Sequence, residues 1–279
     1  MGSGLYVSPG KSISPEKEVS VMQKQQEWLA AAIEAAQIGG AVLRDWMGRF
    51  SVREKSRKNL VTEADEASQA AIVEFLRAKF PDHGFLGEEN LNERTAGTEC
   101  FWIIDPLDGT TNYVHGFPYF AVSIALSVQG QLQVGVIYDP LRQETFSAIR
   151  GVGAWRNDVR IETSGERDPG QAFGMASLPV ATDRENPAVQ RFLKSLAHLQ
   201  TVQRSGSAAL NLAFLACGRI DAFWSSSLSA WDVAAGALIL EEAGGSITSL
   251  TGDTFDIFVP SLLAASTSEL REKLLNVLS

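Results

Sequence analysis

Cysteine is nearly absent: the chain holds two, Cys100 and Cys217, and neither sits in a Cys-x-x-Cys pair. A disulfide framework or a thiolate zinc site therefore has no basis. The expectation is a reducing cytoplasm, with both thiols acting as small packing groups. Histidine is as scarce, and His83, His115 and His198 lack the short spacing of a metal-ligating pair. No run of about 18 apolar residues occurs, so no helix is expected to span a membrane. The first residues, MGSGLYVSPGKSISPEKE, show no apolar stretch of a secretory leader, and a flexible lead-in is expected over residues 1–18. Basic residues are outnumbered, 24 against 33, for a formal charge of −9. That balance opposes non-specific nucleic-acid binding, which rests on neutralising phosphates with Lys and Arg. It does not oppose a small anionic substrate, because bound cations can invert the local field.

What is present reads as an ordinary globular composition, 45% hydrophobic and 20% charged over 279 residues. Apolar residues recur at helical spacing from Val19 to Phe50, which predicts one long amphipathic helix, loosened near Gly39 and Gly40. A second helix is expected over Glu63–Phe80, capped by Thr62 and stopped by Pro81. Phe101–Asp105 reads as a buried strand, Tyr119–Val128 and Gln131–Tyr138 as a hairpin, and Glu144–Ile149 as a further strand. Helices are expected at Pro187–His198, Ser207–Cys217, Trp231–Ala243 and Ser268–Leu278. Strands are expected near Gln200–Arg204, Asp221–Trp224 and Ser261–Ser266. This order indicates a mixed α/β sandwich over residues 19–279, in two packed halves that meet near 150–170.

Three short motifs carry chemistry. In Asp105-Pro106-Leu107-Asp108-Gly109-Thr110-Thr111-Asn112 an apolar strand delivers one carboxylate and a turn delivers the next. Pro106 is expected to end the strand's ladder and Gly109 to permit the turn. Two acids that converge so closely repel each other unless cations lie between them, and an all-oxygen site suits Mg²⁺. Alone, the same residues also fit an Asx turn with two solvated aspartates. Glu88 and Glu89 alone fit a solvated pair, and Asp232, in Trp231-Asp232-Val233-Ala234-Ala235-Gly236, fits a helix N-cap.

Taken jointly, the order of these motifs resembles the inositol monophosphatase family. Leu60-Val61-Thr62-Glu63-Ala64-Asp65 upstream, Arg204-Ser205-Gly206-Ser207-Ala208 between, and Glu242-Ala243-Gly244-Gly245 after them belong to the same pattern. The resemblance runs from about Leu29 to Leu275. It implies a layered αβαβα sandwich of the sugar-phosphatase type and hydrolysis of a small phosphate monoester by metal-activated water. It implies two or three Mg²⁺ ions, held by Glu88, Asp105, the Leu107 carbonyl, Asp108 and Asp232, with Asp105 bridging. Asp65 and Thr110 would orient or deprotonate the attacking water, with Glu88 also in a catalytic role. Gly109, Thr110, Thr111, Gly206, Ser207, Ala208, Ser225 and Asp232 would meet the substrate. A cytoplasmic homodimer sensitive to lithium is likewise implied.

Substrate choice is a separate matter. Inositol-directed members of that family place an acid six positions before the Trp-Asp motif, where this chain has Ser225. A serine cannot give a polyol the same charge-assisted acceptor. Inositol monophosphate leads the expected substrates, beside histidinol phosphate, fructose 1,6-bisphosphate and 3′-phosphoadenosine 5′-phosphate. A metal-binding regulatory protein of the same fold is the non-enzyme alternative. Gly151-Val152-Gly153 does not extend to a dinucleotide fingerprint, and no phosphate-loop lysine motif is present.

Overall fold

The computed structural model describes residues 15–56, 59–93, 99–180, 182–259 and 261–279. The expected lead-in lies outside them up to residue 14, and positions 15–18 already belong to the first helix.

Helix α1 runs Pro15–Trp46, followed by an antiparallel pair, β1 (Val52–Ser56) and β2 (Asn59–Thr62). Helix α2 (Glu63–Lys79) leads into β3 (Gly84–Gly87), β4 (Leu91–Asn92) and β5 (Cys100–Asp108), and a short helix α3 spans Thr110–Val114. A meander follows: β6 (Ala121–Val128), β7 (Gln131–Asp139), β8 (Glu144–Ile149), β9 (Gly153–Arg156) and β10 (Val159–Arg160). The remainder alternates: β11 (Phe173–Ala176), α4 (Pro187–Ser195), β12 (Thr201–Gln203), α5 (Ala208–Ala216), β13 (Ala222–Ser225), α6 (Ala230–Glu242), β14 (Ser246–Thr248), β15 (Leu262–Ala265) and α7 (Ser268–Leu278).

These elements stack as αβαβα. An eight-stranded sheet has the order β10-β9-β8-β7-β6-β5-β3-β4, and a five-stranded sheet the order β12-β11-β13-β15-β14. Helices α1 and α2 cover one face of the larger sheet. Helices α5 and α6 fill the space between the sheets, and α7, backed by α4, covers the far side of the smaller one. The side-chain period of two explains why the central strands read as near-continuous apolar runs. On β6, Val122, Ile124 and Leu126 enter the core under α1 and α2, whereas Ala121 and Ala125 enter the core under α5 and α6. Both faces are buried, and the polar residues of β6, Ser123 and Ser127, are small and buried with them.

Two local expectations are corrected. Helix α1 passes through Gly39 and Gly40 without interruption. Those glycines mark close packing: a Cβ at Gly39 would lie 2.6 Å from Ile72 Cδ1, and one at Gly40 2.6 Å from the Tyr138 ring. Strand β5 also continues past Pro106. Its pairing with β6 steps from Asp105↔Ser123 to Asp108↔Ala121, three residues against two. A bulge absorbs the proline, which has no N–H to give the ladder.

Candidate active site

That bulge builds the acidic site. In a regular strand, residues three apart point to opposite faces. The extra residue in β5 turns Asp108 back toward Asp105. Helix α6 brings in Asp232, and ligand oxygens of the three carboxylates all lie within 4.8 Å of one another.

Each acid is fixed by backbone. Asp105 accepts the Leu107 N–H at 3.0 Å on Oδ1. Asp108 sits against the start of α5, accepting the Ala209 N–H at 2.7 Å, the Ala208 N–H at 3.2 Å and the Ser207 hydroxyl. Asp232 is the third residue of α6 rather than its cap. It accepts the Ser229 N–H at 2.6 Å in a capping box. Two helix N-termini thus abut the cluster, and their positive ends offset part of its charge.

The remainder is uncompensated. Burial, followed by the charges of Glu88, Asp108 and Asp232, pushes the Asp105 carboxyl well above its ordinary range. Burial, with Asp108 next, raises Asp232 to about 8. Burial raises Asp108 to about 6 against its hydrogen bonds from Ser207 and Ala209. Three acids held together at such a cost, offering only oxygen donors, fit a hard divalent cation. Glu88 follows β3, beside β5, and its charge reaches Asp105 and Asp232, but it is outside the three-carboxylate group.

A second acid stands apart. Asp65, buried in the first turn of α2, accepts the Thr62 N–H at 2.8 Å and the Thr62 hydroxyl at 2.6 Å on Oδ2. Its Oδ1 accepts the Thr110 hydroxyl at 3.2 Å, and the Leu107 carbonyl lies 3.3 Å from the same Thr110 oxygen. Burial raises the Asp65 carboxyl to about 6. Gly109, at φ 101°, makes the left-handed turn that starts α3. The N–H groups from Thr110 to Asn112 precede the first α3 bond, from the Tyr113 N–H to the Gly109 carbonyl.

Beside the cluster lies a cleft of about 600 Å³, and Asp108, Thr111, Gly206 and Ala208 line it. Ser207 is buried beneath, with its hydroxyl committed to Asp108. Ser225, expected to meet the substrate, is instead the buried last residue of β13 and is not among the lining side chains. Sequence reasoning gave no role to Asn112. Its Nδ2 donates to the Tyr119 carbonyl at 2.7 Å and to the Ser205 carbonyl at 2.8 Å, tying α3 to the loop before α5. Its place at the end of the Asp105–Asn112 motif was the available signal. The histidines stay out of the site: among the described residues none joins a metal-capable group, and His83 stacks on Phe80 at 4.9 Å.

The chain is 41% identical to a protein from Pseudomonas aeruginosa named Nus factor SuhB, with 81% of this chain and 87% of that one covered. It is 38% identical to inositol monophosphatase 2 of Solanum lycopersicum, covering 91% and 98%. The solved inositol monophosphatase of Anabaena (Nostoc) superposes with a TM-score of 0.82 at 39% identity, over 91% and 96% of the two chains. Residues 24–279 match the sequence profile of the Inositol monophosphatase family. With its fold, its motif order and that profile in accord, the chain belongs to the inositol monophosphatase family.

Proposed function

We propose that the protein hydrolyses a small phosphate monoester with two or three Mg²⁺ ions, held by Asp105, Asp108, Asp232, Glu88 and the Leu107 carbonyl. The observation that carries this reading is the packing of three carboxylates within 4.8 Å, each raised in pKa and each donated to by backbone N–H groups. Such cations, when bound, neutralise charge on the phosphate oxygens and make hydroxide available near neutral pH.

The chain's own groups supply position and proton handling. Thr110 donates its hydroxyl proton to Asp65 Oδ1, which leaves the Thr110 oxygen lone pairs to accept a proton from the attacking water. With a carboxyl near 6, Asp65 is ionised at neutral pH and holds that hydroxyl in the donating direction. Gly109, Thr110 and Thr111 present N–H groups at the start of α3 to the phosphate. Gly206 and Ala208, in the cleft lining, shape the space for its alcohol, with Ser207 buried beneath them. No side-chain nucleophile is required, because phosphoryl transfer depends chiefly on positioning and electrostatics. The reading extends to a cytoplasmic homodimer inhibited by lithium.

The test is phosphate release from p-nitrophenyl phosphate with and without MgCl₂, EDTA and millimolar LiCl. Release that depends on Mg²⁺ is expected, and its absence would sink the proposal. A second reading is favoured by one observation: several relatives, one at 41% identity, bear the name Nus factor SuhB. In that reading the chain acts as such a factor, and hydrolysis is secondary. Restoring growth of a gene-deleted strain with Asp105→Asn would favour this second role, and failure to restore it would favour the enzyme.

A further inference from the structure

Among the described residues, the charged ones lining the cleft are Asp108 and Arg204, and they are in opposite condition. Asp108 is spent on three donors at the start of α5 and on the cation site. Arg204 is exposed, and among the described residues no ion pair or hydrogen bond engages its side chain. Its backbone, in contrast, is anchored on both sides. Strand β12 pairs with β11 up to Gln203, and the Ser205 carbonyl is gripped by Asn112 at 2.8 Å. Next to it, Gly206 (φ 90°) lies so close to Asn112 that a Cβ would come within 2.9 Å of Nδ2. The Ser205 hydroxyl in turn donates at 2.6 Å to the buried Asn211, which also accepts the Tyr119 hydroxyl at 2.9 Å.

Arg204 thus offers a free guanidinium on a pinned backbone, and it lines the cleft beside Asp108 and Thr111. The rest of the lining mixes the hydroxyls of Ser177 and Ser227 with the apolar Leu178, Pro179, Val180 and Leu228. Resting on the phosphatase reading above, we infer that Arg204 selects phosphate monoesters carrying a second anionic group, which its planar fork engages in a charge-assisted pair. The cleft, at about 600 Å³, has room for both groups. The same charge repels an ammonium, so an aminoalkyl phosphate such as histidinol phosphate is disfavoured, and Ser225 offers no acid to offset that repulsion.

The experiment uses the full chain with saturating Mg²⁺ and two matched pairs: fructose 1-phosphate with fructose 1,6-bisphosphate, and adenosine 3′-phosphate with 3′-phosphoadenosine 5′-phosphate. In at least one pair the doubly anionic ester should be preferred by roughly ten-fold or more in kcat/KM, expressed mainly in KM, as one charge-assisted contact predicts. Arg204→Ala should bring that ratio back near unity, and Arg204→Lys, a point charge without the fork, should restore part of it. A preference absent from both pairs, or one that survives Arg204→Ala, overturns the inference. Turnover of p-nitrophenyl phosphate separates the two levels: if it persists while the preference is missing, only the role of Arg204 falls. If no ester is hydrolysed, the phosphatase reading falls with it.

Discussion

The carboxylate cluster and the cleft beside it are neighbours built by different means. The cluster hangs on a bulged central strand and two helix N-termini, and every acid in it is tied to a backbone N–H. The cleft is walled by the starts of α3 and α5, strand ends and loops, and among the described residues its cation, Arg204, is left untied. Rigid backbone placement suits groups whose spacing the chemistry dictates, whereas loops can vary without disturbing that spacing. On the proposed function, the reaction belongs to the first region and substrate choice to the second.

Breaking the cluster should have the largest effect. Asp105→Asn keeps an oxygen acceptor for the Leu107 N–H but removes the charge that meets the cations. Mg²⁺-dependent turnover should fall on the order of 10³-fold. In EDTA the variant should melt at or above the wild-type temperature, because a buried repulsion has been relieved. Unchanged turnover would show that the cluster is not where the chemistry occurs.

Next in size is the proton path. Thr110→Val removes the hydroxyl that joins Asp65 to the site while keeping the side chain's shape. The expected loss in kcat is roughly 10²-fold. In the wild type, the acid limb of the kcat/KM profile should fall near pH 6, where Asp65 takes up its proton. Asp65→Asn is the poorer probe, because Asp65 also closes the α2 capping box, and loss of a cap costs about 1 kcal/mol. A Thr110→Val enzyme with wild-type kcat would remove the pair from the mechanism.

The same contrast governs what the sequence made legible. The layered fold and the order of the helices followed from apolar periodicity and from the resemblance carried by the motifs. Asp105, Asp108 and Asp232 were readable through the joint order of their motifs and the resemblance it carries, since singly each fits a turn or a helix cap. The bulge at Pro106 was not, since a proline announces a missing donor but not whether the ladder resumes beyond it. Strands β3, β9, β11 and β14 also escaped, each of only three or four residues. So short a run carries no period, and the equally short β12, β13 and β15 were read only because they alternate with expected helices. The roles of Asn112 and Arg204 depend on loops brought together across 93 residues of chain, which no local pattern encodes.

A smaller effect tests whether the cluster needs cations to be stable. Asp105, Asp108 and Asp232 hold their protons more tightly when folded than an ordinary aspartate does when unfolded. Between about pH 4 and 8 the folded state therefore binds more protons, and stability must fall as pH rises. In chelator, the melting temperature should drop by several degrees from pH 5 to pH 8. Added Mg²⁺ binds the folded, deprotonated cluster, so its stabilising effect should be greater at pH 8 than at pH 5. A Mg²⁺ effect that is greatest at pH 5 would contradict the assignment of the site.

The smallest effect belongs to the cleft. Ser225→Glu places an acid at the end of β13, where inositol-directed relatives by resemblance carry one. Ser225 is buried, so the new carboxylate must turn toward the cleft to stay hydrated, and some stability is lost in the process. Once there it accepts hydroxyls of a polyol and opposes Arg204. The kcat/KM ratio of inositol 1-phosphate to fructose 1,6-bisphosphate should rise by roughly three- to ten-fold, about one charge-assisted hydrogen bond in strength. The Mg²⁺ concentration for half-maximal turnover should hold, because Asp105, Asp108 and Asp232 keep their own backbone donors. If that concentration moved together with the substrate ratio, the two regions would be coupled, and the division between reaction and recognition would fail.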